Sequence, residues 1–219
     1  MRGLEDLIDT DDPGIRLVRD WAGAKGGNAS VILPPDAAVR GETLLRLQVT
    51  TRSILGAVAY DTGGISVADG RLRLLGSGPA RSLRACNDAA GGMRTGALDD
   101  FLLIADDMLG GLYALNGGRF GREGLGDVFH LAADQLLWSH LEVDYADFAS
   151  WCLTGDLGLF YEGLAGLDVF QRPPSFEKTY AFYPFLWTRE AEERAPDVRL
   201  VDADEGVRLR LEMAGFGLG

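Results

Sequence analysis

Thirty of the 219 residues are glycine, and many sit in pairs or triplets between apolar runs: Gly63-Gly64, Gly76-Ser77-Gly78, Gly91-Gly92, Gly110-Gly111 and Gly117-Gly118. Glycine adopts positive φ without a Cβ penalty, so this placement marks tight turns rather than a flexible linker. No run of proline, serine or charge separates two units, and no repeat recurs at a fixed period. The expectation is one α+β domain over residues 1–219: a helical part at 3–47, a sheet core at 55–143, and a helical, aromatic part at 144–219.

The first third reads as helical. Asp12 suits an N-cap, Pro13 a first helical position, and Ile15, Val18, Trp21 and Ala22 recur with a period near 3.6. Lys25 then complements the helix dipole, and Gly26-Gly27 supplies the stop. Val31-Ile32-Leu33, closed by Pro34-Pro35, reads as a strand, and a second helix is expected from Asp36 through Leu47.

After Thr51 the period becomes two. Residues 57–60, 65–67 and 71–75 are expected strands, with Asp69-Gly70 as a hairpin turn. In the last of these, Leu72 and Leu74 alternate with Arg71 and Arg73, the pattern of a sheet wet on one face. Residues 101–105 and 112–115 are almost continuously apolar, so both faces should be covered and the two should be central and adjacent. Residues 128–131 follow, with Asn116-Gly117 as another turn. Short connections favour a central antiparallel or mixed sheet packed against helices. A helix is expected from Asp144 to Gly155, with Tyr145, Phe148, Trp151 and Cys152 as its apolar stripe, and helical turns at 157–164. Residues 180–187, aromatic and interrupted by Pro184, read as an edge strand. Residues 198–219 fit strand or helix equally.

Composition narrows the function classes. The formal net charge is −12, from 21 basic and 33 acidic residues, which opposes nucleic-acid binding; it favours encounter with a basic partner, while the plainer reading is that it keeps the protein soluble. No apolar run approaches the roughly 20 residues that span a bilayer, and no secretory leader is expected at the N-terminus. The two isolated cysteines, Cys86 and Cys152, fit a reducing, cytoplasmic setting. His130 and His140 lack metal-binding spacing, so neither a metal nor any other cofactor is expected. Gly76-Ser77-Gly78 opens like a dinucleotide loop, but Arg81 stands where the third glycine belongs. Neither a phosphate-loop lysine motif nor a nucleophile elbow is present, and no residue is assigned a catalytic role.

Two constellations remain. Thr50-Thr51-Arg52-Ser53 sets hydroxyls beside a guanidinium and can bind an anion, or can cap and connect a helix to the next element. The acidic pairs Asp99-Asp100 and Asp106-Asp107 flank the 101–105 run. Neighbours in a strand point to opposite faces, so neither pair converges automatically, and solvated turn positions are the plain alternative.

The segment Leu47-Gln48-Val49-Thr50-Thr51-Arg52-Ser53, with Gly56-Ala57 and Tyr60-Asp61-Thr62-Gly63-Gly64, resembles the bacterial family known as domain of unknown function 2625. Leu74 to Gly78, residues 101–118 and Phe182-Tyr183-Pro184-Phe185-Leu186-Trp187 agree with it, whereas Arg71 and Cys86 stand where the family pattern has tryptophan. More distantly, residues 101–115, Val128-Phe129-His130-Leu131, Trp138 and the 145–151 segment are similar to the core of the SUKH superfamily, which includes toxin-immunity proteins. That resemblance implies a SUKH-like α+β fold and a non-enzymatic binding role. The leading expectation is a cytoplasmic binding protein, a toxin-immunity protein in its sharpest form, meeting a basic toxin domain through Asp106 and Asp107. The alternatives are a small-molecule sensor using Thr50, Thr51, Arg52 and Asn87, and a hydrolase built on Asp106 and Asp107.

Overall fold

The computed structural model describes residues 1–90 and 100–216; Gly91-Gly92 and Asp99 lie outside the described residues. Seven strands pair in chain order, each antiparallel to its neighbours: β1 (Ser30–Leu33), β2 (Gly64–Val67), β3 (Leu72–Leu75), β4 (Phe101–Asp107), β5 (Leu112–Asn116), β6 (Val128–Leu131) and β7 (Trp138–His140). A separate ribbon pairs β8 (Lys178–Tyr183) with β9 (Asp197–Asp202). The helices are α1 (Leu4–Leu7), α2 (Ile15–Ala22), α3 (Ala37–Leu47), α4 (Ile54–Asp61), α5 (Leu83–Ala89), α6 (Tyr145–Thr154), α7 (Leu157–Phe160), α8 (Arg189–Glu193) and α9 (Ala203–Met213). One hydrophobic core runs through both faces of the large sheet, so this is a single α+β domain.

Residues opposed across a ladder share a face. Tyr113 opposes His130, and the Tyr113 ring packs on Phe148 of α6, so this face meets the layer of α2, α4 and α6. Arg73 opposes Asp106 on the other face, which α5, α9 and the ribbon cover. β4 and β5 are accordingly buried along their whole length and lie side by side, as their apolar runs imply.

The caps follow the sequence in several places. Asp36 accepts from the Ala38 amide at the start of α3, and Asp144 accepts from the Asp147 amide at the start of α6. Tyr145, Phe148 and Cys152 face the core, while Trp151 lies at the border of the stripe, half-buried between Phe148 and Phe160. Residues 198–219 contain both element types, β9 and then α9.

Elsewhere the structure corrects the reading. Helix α2 begins after Gly14, not Asp12, because Gly14 donates to the Thr51 carbonyl at 2.8 Å and a Cβ there would lie 2.8 Å from the Arg52 carbonyl oxygen. It ends at Gly23, before Lys25 and Gly26-Gly27. Residues 57–60 are helical: Ser53 Oγ caps α4 through the Gly56 amide, and the helix is apolar because α2, α3 and α6 surround it. Asp69-Gly70 does join β2 and β3 as a hairpin, but through a three-residue helical turn in which Ala68 and Asp69 both take positive φ. β3 is not wet on one face, since Arg73 is 0% exposed.

Arg73 is buried because Asp106 neutralises it. Its Nε and Nη2 donate to the two Asp106 carboxylate oxygens at 3.0 and 2.9 Å. Arg81 donates to the same two oxygens at 3.0 and 2.8 Å, and its Nε reaches Asp204 at 2.6 Å. Arg73 also donates to the Asp107 and Lys178 carbonyls, joining the sheet to the ribbon. Removing the shared carboxylate would leave buried Arg73 without any carboxylate and Arg81 with Asp204 alone. Asp106→Ala should therefore cost about 3–5 kcal/mol in urea denaturation. A loss under about 1 kcal/mol would show that the layers hold together without it.

Candidate functional site

The residues singled out in the sequence are placed as follows. Thr51 donates its amide to the Leu7 carbonyl at 2.8 Å, and its Oγ1 accepts from the Asp9 amide at 2.7 Å. The Thr50 carbonyl accepts from Ser53, and Arg52 is exposed and paired with the equally exposed Asp12 at 3.1 Å. These contacts knit α1 and α2 to α4. Asn87 is fully buried and shares no hydrogen-bond partner with Thr50, Thr51 or Arg52 among the described residues.

Asn87 acts as a surrogate strand. The β3–β4 ladder stops at the Leu74–Ala105 pair, leaving the Leu103 backbone without a strand on that side. Asn87 donates Nδ2 to the Leu103 carbonyl and accepts from the Leu103 amide, both at 2.8 Å. Asn87→Ala should cost about 2–4 kcal/mol, since it orphans two buried backbone groups as well as deleting their partner. Chemical denaturation measures this, and a near-neutral effect would exclude the ladder role.

Asp106 and Asp107 point to opposite faces, as strand alternation requires, but both are buried. The reading of Asp106 and Asp107 as solvated turn positions is overturned, because β4 runs on through Asp107 before the turn begins. Asp107 Oδ1 accepts from the Leu109 and Gly111 amides at 2.9 and 2.7 Å, and Oδ2 accepts from Tyr161 Oη at 3.1 Å. A Cβ on Gly111 would lie 2.2 Å from that carboxylate, which explains the glycine. Burial raises the Asp107 pKa above the ordinary carboxylate range. Cys86 donates its thiol to Asp204 at 3.0 Å, and burial pushes its pKa up, so it is not a reactive thiolate.

His130 stacks on Tyr113 at 4.4 Å between centroids, and burial lowers its pKa to about 4. An unfolded histidine titrates near 6.5, so the unfolded chain binds the extra proton between these values. Stability contributed by neutral His130 is complete above about pH 6.5 and is lost as pH falls toward 4, by about 3 kcal/mol at most. The raised Asp107 acts in the opposite sense, so the comparison is wild type against His130→Phe. The variant should show a flatter loss of stability between pH 6.5 and 4; an unchanged slope would exonerate His130.

An open concavity of about 650 Å³ lies elsewhere, between the 163–167 segment and residues 186–196. Leu164, Leu167, Leu186 and Trp187 supply apolar wall, and Asp134, Arg189 and Glu192 supply charge. Trp187 is half-buried: Phe185 stacks on it at 4.6 Å, and its ring lies 4.2 Å from the Arg210 Cζ. Arg210 is only 4% exposed. Its Nε donates to the Gly110 carbonyl at 3.0 Å and its Nη2 to the Ala132 and Gln135 carbonyls at 2.7 Å each. Burial lowers its pKa to about 10, so it stays charged at neutral pH. The 180–187 aromatic segment is visible in the sequence, but Arg210 is not singled out there. The signal exists: Ala203, Val207, Arg210 and Leu211 share one helical stripe, with the arginine on its apolar side.

The sequence profile of the family described as "Protein of unknown function DUF2625" matches residues 4–204. The chain belongs to this family. It is 36% identical over 207 residues to the "Putative uncharacterized protein YbfG" of Escherichia coli (strain K12), covering 90% of this chain and 91% of that protein. It is 35% identical over 167 residues to an "Uncharacterized protein" of Haemophilus influenzae, covering 75% of this chain and 72% of that protein. The DUF2625 span includes the groove and Trp187, whereas Arg210 lies beyond it. Among the described residues, no group of three or more His, Cys, Asp or Glu is placed to hold a metal ion, and no helix is long and apolar enough to cross a membrane.

Proposed function

We propose that this DUF2625 protein is a non-enzymatic binding protein that seats a segment of a basic partner protein in the groove beside Trp187. The observation that carries the reading is the groove itself: open, about 650 Å³, and lined by leucines and an aromatic ring with charged residues among them. That mixture of aromatic, aliphatic and arginine surface characterises interfaces, and the volume lies within the range of ligand sites. Glu192 of α8 lines it, with Glu190 and Glu193 on the same short helix, in a chain of net charge −12, which favours encounter with a cation-rich surface. The SUKH resemblance makes a toxin domain the sharpest form of this partner, with the protein acting in toxin immunity. Two buried free cysteines accord with a reducing, cytoplasmic location. Asp106 and Asp107 stay in the interior under this reading, and the acidic contact passes to α8.

A photo-reactive residue at Glu192, compared with one at the exposed Glu5 of α1, tests the proposal in the native host. The groove position should cross-link one basic protein that the remote position does not. Their association rate should fall steeply with salt, since steering acts over about 8 Å at physiological ionic strength. An acidic partner, equal labelling at both positions or no cross-link at all would each overturn it.

A further inference from the structure

Arg210 carries more hydrogen-bonding capacity than the fold uses. Its Nε and Nη2 are taken by three neutral carbonyls, whereas Nη1 is buried without a partner among the described residues. No carboxylate among the described residues lies within 4.0 Å of the guanidinium, although Asp107 and Asp134 act on it from further away. A buried cation of this kind is normally matched by an anion. Here the face of Trp187 covers it instead, which is a weaker partner than a charge-assisted, bidentate hydrogen bond.

Beside Arg210 lies a small cavity of about 30 Å³, room for about one water. Among the described residues, Arg210 is the only charged one in its lining, and the rest is largely apolar, including Leu109, Ala133, Phe182 and Phe185. Leu186 and Trp187 line both this cavity and the open groove, so these two side chains form the wall between them.

We propose that Arg210 anchors a carboxylate carried on an apolar body, which enters from the groove and takes the guanidinium from the Trp187 ring. A carboxylate can accept from Nη1, the one nitrogen that the three carbonyls leave free, and its size suits the small space. A phosphate dianion is disfavoured, because it is bulkier and because Asp107 and Asp134 already set negative potential around Arg210. The apolar body would lie against Leu164, Leu167 and the displaced indole. The carboxylate can come from a free apolar acid or from the C-terminus of a partner chain. The inference rests on the groove being the binding site, and it adds the chemistry of the group that reaches deepest.

The test is calorimetric titration of the full chain with 3-phenylpropionate and its alcohol, 3-phenylpropanol, and with short peptides ending in Leu-Phe as the free acid or the amide. Each acid should bind on the order of tenfold tighter than its neutral counterpart, the discrimination expected of one charge-assisted contact. Preference for the peptide acid would assign a protein C-terminus, and preference for the small acid a metabolite. Arg210→Met should abolish the discrimination, Arg210→Lys should keep part of it, and Trp187→Ala should strengthen the small acid by removing the competing ring. Equal affinity of acid and neutral partner, or no binding at millimolar concentration, overturns the proposal in the wild-type protein alone, whatever the variants do. If the Glu192 cross-link succeeds while the acids fail, the anchor falls and the groove stands; if the acids bind and the cross-link fails, only the protein partner falls.

Discussion

The structure depends on one carboxylate. Asp106 accepts four hydrogen bonds from two guanidinium groups in a region that water does not reach. Taking three charges out of solvent is costly, and only near-complete pairing offsets it. The arrangement therefore does more than neutralise charge. Arg73 comes from β3, Asp106 from β4, and Arg81 from the loop before α5, so the cluster fixes the middle of the sheet to its covering layer. Arg81 then grips Asp204 in the first turn of α9, and Arg73 reaches the Lys178 carbonyl at the start of β8. The next turns of α9 carry Arg210 to the Gly110 carbonyl at the end of the β4–β5 turn. The groove and its buried arginine are thus held in place by the same ion cluster that closes the sheet.

The neighbouring acid shows the consequence of strand geometry. Asp107 turns away from that cluster and meets Tyr161, whose hydroxyl lies 3.5 Å from that of Tyr113, which stacks on His130. Two adjacent aspartates therefore serve two separate layers and never converge on one ion or one proton. Their environments differ accordingly: Asp106 is surrounded by cations, while Asp107 is held mainly by amides and a phenol, and burial raises its pKa.

Much of the architecture was legible because periodicity and turn chemistry agreed. The glycine-bounded runs at 101–105 and 112–115 are central strands, and Asp36 and Asp144 cap the helices they precede. Residues 57–60 misled because a short, fully apolar run looks the same in a buried helix as in a strand. Arg73 misled for a different reason: alternation shows which face a side chain takes, not whether water or a carboxylate meets it there. Asn87 was read as a ligand-binding residue, whereas its partner is a backbone stranded by the end of β3, a fact of register that no local pattern contains. Arg210 stayed hidden because its meaning depends on helical phase, and residues 198–219 switch from strand to helix within a few positions.

A strongly acidic surface and an under-satisfied buried cation ask for opposite ligands, but they act at different ranges. Surface charge biases encounter over a distance comparable with the Debye length and is blunted by salt. Arg210 is shielded by the indole of Trp187 and by apolar walls, so it is sensed only after contact, where solvent no longer screens it. A basic partner ending in an apolar residue satisfies both demands: its cations meet the glutamates of α8, and its terminal carboxylate meets Arg210. A free apolar acid satisfies only the second, against the long-range field. The same acidity that slows such an anion on approach leaves the buried contact intact once the anion has arrived, so the two kinds of ligand differ chiefly in association rate, and the anchoring chemistry is common to both.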